Sequence, residues 1–384
     1  MVTVYYFTNI APHYRSSLWS ILLNDTHWEM HIFYSDDFNS GVKKIDLSNE
    51  EFATKQDRFH KFKSFRWKGK KEFWQNGVIK KCFKSDFQHA VFLGEISRIS
   101  TWISVIICSL RGIHVTFWGH GLYGNESRLR LMIKKLLFRM AHTHLLYERR
   151  AKELMIEEGF SKDKLYVFFN SLDYETHKSL YHKLIKVDKE EVFPFFINNT
   201  LPVIIFIGRL TPVKKLDLLL EAINSINEET PKINLIIIGD GPERKDLEVK
   251  GISGIENQWL HFTGACYDEE EIGKYLSKSE LCVSPGNVGL TAVHSLSFGT
   301  PVCTHGNMSN QMPEAGAIQD GYNGFFFKEN DIEDLKKKII DWFSNNYDRN
   351  IVRNRSTEII HKYYNPHYQR LVFERIINGE KPEL

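Results

Sequence analysis

Short apolar runs alternate with amphipathic helical patterns along the chain, and this alternation constrains the fold more than any other feature. The predicted strands are apolar and are bounded by glycine and polar residues. They lie at residues 2–7, 29–34, 90–93, 114–118, 145–147, 166–169, 203–207, 234–238, 260–262, 281–283 and 302–304. Strands that alternate with helices form parallel, doubly wound sheets. The sequence therefore predicts an α/β protein with two such sheets.

A polar stretch at 173–199 separates the two series of strands, and 384 residues suffice for two cores. We predict an N-terminal Rossmann-like domain at 1–175, a linker at 176–199 and a second Rossmann-like domain at 200–362. Residues 363–384 carry an amphipathic helix that starts near a proline.

The composition is that of a globular protein, with 42% hydrophobic and 26% charged residues. A net charge of +2 gives no general case for a nucleic-acid partner. The five cysteines show no close pairing, so neither a zinc site nor a disulfide framework is indicated. With no secretory signal evident, and an apolar stretch at 99–110 that is too short and polar to span a bilayer, we expect a cytoplasmic protein.

The segment from Ser284 to Val302 reads as a strand end, a glycine turn and a helix that stops at Gly299. Gly289, Leu290 and Thr291 fall at the helix start. Free backbone N–H groups and the positive end of the helix dipole bind anions there. The segment therefore predicts an anion site.

A second cationic segment, Gly208-Arg209-Leu-Thr-Pro-Val-Lys214, directly follows the predicted strand 203–207. An arginine and a lysine on a loop are often only a charged surface. Here they follow a buried strand and accompany a distant helix start, so Arg209 and Lys214 are predicted to hold the same anion, a diphosphate.

Further motifs follow in order: Ile-Ile-Ile-Gly239-Asp240-Gly241-Pro, His-Phe-Thr-Gly264, Gly-Thr-Pro-Val302, Pro-Glu314 and Asp-Gly-Tyr-Asn-Gly324. Together with the segment from Gly208 to Lys214 they resemble the nucleotide-binding half of GT-B glycosyltransferases, in particular glycosyltransferase family 4. The resemblance covers about residues 200 to 330 well and the rest of the chain weakly.

The resemblance implies a GT-B fold, with two doubly wound Rossmann-like domains facing a central cleft and a C-terminal helix that crosses back to the N-terminal domain. It implies a retaining hexosyltransferase that uses a nucleotide sugar, with UDP or GDP as carrier, and needs neither a cofactor nor a metal. The implied acceptor is a glycan or a polyprenyl- or lipid-linked sugar in surface polysaccharide synthesis, such as capsule, O-antigen or lipopolysaccharide.

The resemblance also assigns roles to residues of this chain. The predicted catalytic residues are His120, Arg209 and Lys214. The diphosphate ligands are Arg209, Lys214, Gly289, Leu290 and Thr291. The nucleoside ligands are Gly239, Gly264, Ala265, Cys266 and His294. The donor-sugar contacts are Gly286, Asn287 and His120. Glu314 is a weaker candidate, since a carboxylate at a helix start also complements the dipole.

One departure from the family concerns two spaced glutamates, which are replaced here by Gly286 and His294. Imidazole both donates and accepts, so His294 could bond a ribose; a histidine satisfied within the core is the alternative. Glycine cannot replace a carboxylate, so the backbone of Gly286 or the side chain of Asn287 would take over the sugar contact.

Acceptor residues are expected on strand-end loops of the N-terminal half, because ligands bind beyond the carboxyl ends of parallel strands. These loops carry His13, Arg15, Glu95 and His120. His13 and Arg15 could instead cap the first helix, and Glu95 and His120 could be solvated loop residues.

Two basic stretches, 55–84 and 128–140, interleave lysine and arginine with aromatic or apolar residues. Such surfaces bind anionic membranes, which would place the protein at the inner face of the plasma membrane. A solvated basic face is the alternative, and near-neutral net charge disfavours nucleic acid. Other function classes are a noncatalytic nucleotide-sugar-binding partner of a transferase, and a GT-B-like epimerase or phosphorylase.

Overall fold

The computed structural model describes residues 1–35, 43–67, 71–345 and 347–384. They form two compact units. The N-terminal unit comprises Met1–Asp173 and Asn365–Leu384, and the C-terminal unit comprises Tyr174–Tyr364.

The strands and helices follow the predicted alternation. The strands are β1 Val2–Phe7, β2 Trp28–Ser35, β3 Phe59–Phe62, β4 Ser64–Trp67, β5 Lys71–Gln75, β6 His89–Leu93, β7 His114–Gly119, β8 Thr143–Leu146, β9 Leu165–Val167, β10 Val203–Ile207, β11 Asn234–Ile238, β12 Leu260–Gly264, β13 Leu281–Ser284, β14 Val302–His305 and β15 Gly324–Phe327. The helices are α1 Ser16–Leu23, α2 Glu50–Ala53, α3 Val78–Lys84, α4 Ile99–Leu110, α5 Arg128–Phe138, α6 Arg149–Glu157, α7 Tyr174–Leu184, α8 Lys189–Val192, α9 Leu216–Ile226, α10 Arg244–Lys250, α11 Ile252–Glu256, α12 Glu269–Lys278, α13 Leu290–Ser297, α14 Ile332–Ser344, α15 Arg349–Lys362 and α16 Pro366–Ile377.

Each unit is built on one parallel sheet. The N-terminal sheet has the strand order β3-β2-β1-β6-β7-β8-β9, and the C-terminal sheet has the order β12-β11-β10-β13-β14-β15. Strands β4 and β5 form a separate antiparallel hairpin. The prediction of an α/β protein with two doubly wound, Rossmann-like sheets is therefore confirmed.

The strand order reverses once in each sheet, beside β1 and beside β10. Strand β1 pairs with β2 on one side and β6 on the other, and β10 pairs with β11 and β13. Helices on opposite faces of the sheet leave a crevice at such a switch point, outside the carboxyl ends of the strands. The fold thus provides one ligand-binding position in each unit.

Burial explains why the C-terminal strands were predicted so closely. Every residue of β11 is buried, and four of the five residues of β10 are buried. Buried residues of both strands share one core with the buried leucines and isoleucines of α9. Continuous apolar runs of this kind are typical of strands covered by helices on both faces.

Residues 176–199, which we predicted to be a linker, contain most of α7 and all of α8 and belong to the C-terminal unit. Residues 365–384 belong to the N-terminal unit. Helix α16 begins with Asn365, whose Oδ1 accepts a hydrogen bond from the N–H of Tyr368 at 2.8 Å. The helix buries Val372 and Phe373 in the core that contains Trp28.

Candidate active site

Three strand-end loops of the C-terminal unit meet at the switch point beside β10. The hydroxyl of Thr291 donates to the carbonyl of Ile207 at 2.9 Å, which joins the start of α13 to the end of β10. A Cβ atom at Gly239 would lie 1.9 Å from the carbonyl oxygen of Gly208, so these two loops contact each other through their backbones. The segments that the sequence analysis combined into one anion site are therefore neighbours.

Helix α13 begins where we predicted it. Gly289 precedes it with φ 55° and ψ −152°, a conformation that is open in practice only to glycine. The N-cap residue is Gly289, which has no side chain to cap the helix start, and no other described side chain is seen to do so. The first-turn N–H groups, which include those of Leu290 and Thr291, therefore keep the polarity that binds anions.

Lys214 is anchored to the loop that precedes α13. Its Nζ donates to the carbonyl oxygen of Asn287 at 2.6 Å and to the side-chain Oδ1 of Asn287 at 3.0 Å. Burial lowers the pKa of Lys214, and the charge of Glu314 acts in the opposite direction. The amide oxygens hold the ammonium in place without cancelling its charge.

Gly286 leaves no room for a side chain. Its N–H donates to the carbonyl oxygen of Lys214 at 2.9 Å, and a Cβ atom would lie 1.9 Å from the carbonyl oxygen of Val213. The loop of residues 212–214 thus occupies the space that a carboxylate side chain at position 286 would need. Asn287 stands beside this contact and supplies the polar side chain instead.

Gln311 fixes the same loop and was missed by the sequence analysis. Its Oε1 accepts from the N–H of Val288 at 2.9 Å, and its Nε2 donates to Thr304 Oγ1 at 2.8 Å and to the carbonyl of His305 at 3.0 Å. Gln311 is buried. A single glutamine in a polar stretch carries no local signal, because its partners are distant in sequence.

His294 belongs to a partly buried cluster with Glu269 and His177. The Nε2 atoms of both histidines lie 3.0 Å from Oε2 of Glu269, and the two rings stack with centroids 4.8 Å apart. Burial lowers the pKa of His294 and favours its neutral form. Burial acts to raise the pKa of Glu269, but the two histidines lower it overall.

This cluster bears on two sequence-based predictions. Since Nε2 of His294 faces Glu269, a ribose contact by that imidazole, which stays a prediction, would use its other nitrogen. The ligand atoms of His177, Glu269 and His294 lie within 4.8 Å of one another. Two histidines and a carboxylate match the donor set of many zinc sites, so independence from metal also stays a prediction.

The remaining donor-side residues lie on the neighbouring loops. The N–H of Gly239 donates to the carbonyl of Gly264 at 2.8 Å, which joins the predicted nucleoside ligands at the ends of β11 and β12. Ala265 and Cys266 follow directly on the chain, and Cys266 is partly exposed. Arg209 is exposed and, within the described residues, forms no hydrogen bond or ion pair.

A cavity of about 230 Å³ lies in the N-terminal unit at the carboxyl ends of β1, β6 and β7. Arg15, Glu95 and His120 all line it, as do Trp118 and Tyr147. Two of the predicted acceptor-side residues, Arg15 and Glu95, thus converge on one cavity with His120, the predicted donor-sugar contact. His13 is not among its described lining residues.

His120 is neutral at physiological pH. Burial, with the charges of Arg15 and Lys134, lowers its pKa to about 4. Its ring stacks on Tyr123 with centroids 5.4 Å apart and meets Tyr147 edge-on at 4.9 Å. A neutral imidazole can donate or accept a hydrogen bond but cannot supply a proton at pH 7.

Comparison with known proteins finds a family for the C-terminal site and a shared fold for the whole chain. Residues 187–359 match the family described as Glycosyl transferases group 1. Sulfoquinovosyl transferase SQD2 of Arabidopsis thaliana is 30% identical over 167 residues, which are 42% of this chain and 30% of that protein. This chain therefore spans about a third of the length of that relative.

Two solved structures share the whole fold. HepE from Anabaena, crystallised with UDP, has a TM-score of 0.70 at 14% identity and covers 99% of this chain and 100% of its own. The lipopolysaccharide outer core galactosyltransferase WaaB has a TM-score of 0.65 at 15% identity, over 98% and 99% of the two chains. The family predicted from the motifs is confirmed for residues 187–359, which match the group 1 glycosyltransferases, and the chain as a whole has the GT-B fold of these structures.

Proposed function

We propose that this protein is a retaining glycosyltransferase that transfers a sugar from a nucleoside-diphosphate sugar to a glycan or lipid-linked acceptor. The observation that carries the proposal is the convergence of Lys214, the loop at Gly208 and the start of α13 at one switch point. The membership of residues 187–359 in the glycosyltransferase family supports it.

The donor-side groups suit a diphosphate leaving group. Negative charge grows on the diphosphate as its bond to the anomeric carbon breaks, and cations or backbone N–H groups already in position stabilise that charge. Arg209 is exposed and free to bind, Lys214 is held by Asn287, and α13 presents its uncapped N-terminus. These groups need no reorganisation during the reaction. As the family resemblance implies, we also propose that the transfer needs no metal ion.

UDP is the proposed carrier, with GDP as the alternative. The support is the similarity to HepE, which was crystallised with UDP. The likeness to WaaB supports a role in surface polysaccharide or lipopolysaccharide synthesis. In the N-terminal unit, Glu95 would hydrogen-bond the acceptor from the cavity beside β1, and the neutral His120, which lines the same cavity, would contact the transferred sugar.

Membrane contact through the N-terminal unit is also part of the proposal. Helices α4 and α5 bury their inner faces in one core, yet each exposes an apolar stripe on its outer face. The stripes consist of Ile99, Ile103, Ile106 and Leu110 on α4, and of Leu129, Met132, Ile133 and Leu136 on α5.

The charge around these stripes favours an anionic lipid surface. Helices α3, α4 and α5 contain no Asp or Glu, whereas α3 and α5 carry several lysines and arginines. A basic helix with an exposed apolar face binds at the membrane interface through burial and electrostatic attraction. Among the described helices, none combines the length and apolarity needed to cross a bilayer. Of the basic stretch 55–84, residues 68–70 lie outside the described residues.

Calorimetric titration of the purified protein with UDP and GDP, followed by turnover assays with UDP-sugars, tests the donor site. We expect UDP to bind and Arg209→Ala to weaken binding and turnover together. Lys245→Ala, a change at an exposed residue of α10, is the matched control. Binding of neither nucleotide, or unchanged kinetics in Arg209→Ala, would remove this function from the site.

A noncatalytic nucleotide-sugar-binding protein is the second candidate. It is favoured by one observation, the absence of room for a carboxylate side chain at Gly286. It predicts that UDP-sugars bind in the calorimeter while neither transfer nor hydrolysis is detected.

A further inference from the structure

Arg15 is a buried cation that lines the cavity of the N-terminal unit. It is only 8% exposed, and it ends the 3₁₀ turn His13–Arg15 directly before α1. Its Nη1 donates to the hydroxyl of Tyr6 at 3.1 Å, and its Nη2 donates to the hydroxyl of Tyr147 at 2.6 Å. The guanidinium also lies over the ring of Trp118, 4.6 Å from its centroid.

No negative charge compensates this guanidinium within the described residues. Burial raises the pKa of both Tyr6 and Tyr147, so the two phenols remain neutral at physiological pH. The described ion pairs include none that involves Arg15, and its Nε has no hydrogen-bond partner among the described residues. A buried charge without a counter-charge is unfavourable unless a ligand supplies one.

The rest of the cavity lining does not neutralise the charge. Arg130 and Lys134 also line the cavity, and Lys134 is already paired with Glu126 at 2.7 Å. Glu95 is the one acidic residue of the described lining, and its charge contributes to the raised pKa of Tyr123. The described lining, with Glu126 included, therefore carries a net positive charge.

We propose that this cavity is an anion subsite in which Arg15 binds a carboxylate or phosphate group carried by the acceptor. A guanidinium has five N–H groups, and two are used by the phenols. One further N–H on each of Nη1 and Nη2 remains, which matches the two oxygens of a carboxylate or phosphate. The aromatic rings of Tyr14, Trp118 and Tyr123 border the same space.

The proposed ligand is an acidic saccharide, either a uronic acid or a sugar phosphate. The cavity of about 230 Å³ lies below the range of roughly 300–1,000 Å³ that holds drug-sized ligands, so it suits a single small group. The role of this anion as part of the acceptor rests on the proposed transferase function. Anion binding through Arg15 does not rest on it.

The test is calorimetric titration of the full-length protein with glucuronate, glucose 1-phosphate and the neutral methyl glucoside. We expect one or both anions to bind, the neutral sugar to bind much more weakly, and Arg15→Met to weaken anion binding at least tenfold, as expected for losing a charge-assisted hydrogen bond. Arg128→Met, at an exposed α5 residue outside the described lining, is the control. Preference for glucuronate or for glucose 1-phosphate distinguishes the two sources of the anion.

Thermal stability gives a second readout, because Arg15→Met removes an uncompensated buried charge. We expect this variant to melt at a higher temperature than the wild-type protein in the absence of ligand. A destabilised or unfolded Arg15→Met variant would overturn the proposal, because the fold would then depend on the guanidinium. Arg15→Lys keeps the positive charge but cannot form the bidentate hydrogen bonds. Anion affinity equal to that of the wild-type protein in this variant would also overturn the proposal.

UDP separates this proposal from the proposed function. UDP binding that is lost in Arg209→Ala but retained in Arg15→Met, without anion binding at Arg15, would leave the transferase standing and remove the anion subsite. Anion binding that depends on Arg15, without turnover of any UDP-sugar, would support the anion subsite and contradict the transferase function.

Discussion

The Nζ atom of Lys214 lies 2.6 Å from the carbonyl oxygen of Asn287, and the side-chain oxygen of Asn287 accepts a second hydrogen bond from it at 3.0 Å. The cation that we assign to the donor diphosphate is thus positioned by the residue next to Gly286. Charge and position are supplied by different residues, and each can be changed separately.

Asn287→Ala should therefore weaken donor use without removing the cation. Loss of a hydrogen bond to a charged group costs about 1.5–3 kcal/mol, which corresponds to roughly a 10- to 100-fold decrease in kcat/KM. Steady-state kinetics with the UDP-sugar measures this effect. Asn224→Ala, at a partly exposed position of α9 whose side chain makes only a long hydrogen bond of 3.5 Å to the carbonyl of Lys250, is the control. Kinetics indistinguishable from wild type would show that Lys214 does not need Asn287.

Adding a side chain at Gly286 should destabilise the loop. A Cβ atom there would meet the carbonyl oxygen of Val213 at 1.9 Å, and overpacking of this kind costs about 1–3 kcal/mol. We expect both Gly286→Ala and Gly286→Glu to lower the melting temperature and the affinity for UDP. Gly316→Ala, where the nearest atom lies at 3.6 Å, should have a much smaller effect. A Gly286→Glu variant that gains activity would contradict this account.

Acid should destabilise the N-terminal unit through its buried histidines. Burial, followed by the charges of His142 and Lys164, lowers the pKa of His114 to about 4, against about 6.5 in the unfolded chain. A group with a lowered pKa contributes stability above its unfolded pKa, and this is lost as the pH falls from about 6.5 towards 4. We expect His114→Gln to reduce the loss in free energy of unfolding between pH 7.5 and 5 by about 1–2 kcal/mol, measured by denaturant unfolding at each pH. The exposed His182→Gln should keep the wild-type slope.

The cluster of His177, Glu269 and His294 should hold no metal that the reaction needs. We expect protein purified without chelator to contain no stoichiometric zinc by mass spectrometry, and EDTA to leave turnover unchanged. Glu269→Gln should lower stability by about 1–3 kcal/mol, because the two imidazoles lose a charged partner. One zinc per chain that disappears in Glu269→Gln would contradict metal independence.

The outer face of α5 should determine membrane binding. We expect the wild-type protein to float with vesicles containing phosphatidylglycerol, less with neutral vesicles, and less at high salt. Leu136→Glu adds a charge to the apolar stripe and should reduce binding roughly tenfold, since a buried leucine contributes about 1.5–3 kcal/mol. Ile340→Glu, at an exposed position of the C-terminal unit, is the control. If the protein instead binds no vesicles and self-associates, and Leu136→Glu abolishes that association, the apolar stripe is a contact with a second copy of this chain and the membrane proposal is wrong.

Sequence reasoning was strongest where local patterns are repeated and buried. The strands from β10 to β14 were predicted within a residue or two, because continuous apolar runs between glycine turns leave few alternatives. Strands β3, β4, β5 and β15 were missed. The first three lie within or beside a basic, aromatic stretch whose charges hid the strand pattern.

The sequence by itself determined the order of strands and helices, the start of α13 at Leu290 and the family that residues 187–359 match, since each depends on residues close together in the chain. Only the tertiary structure decided which side chains share a site. It placed Gln311 beneath the loop of Val288, joined His294 to Glu269 and His177, and left Arg15 without a counter-charge among the residues that the structure describes. These contacts join positions that are distant in sequence, and whether a buried charge is compensated depends on every neighbour in three dimensions rather than on any local pattern.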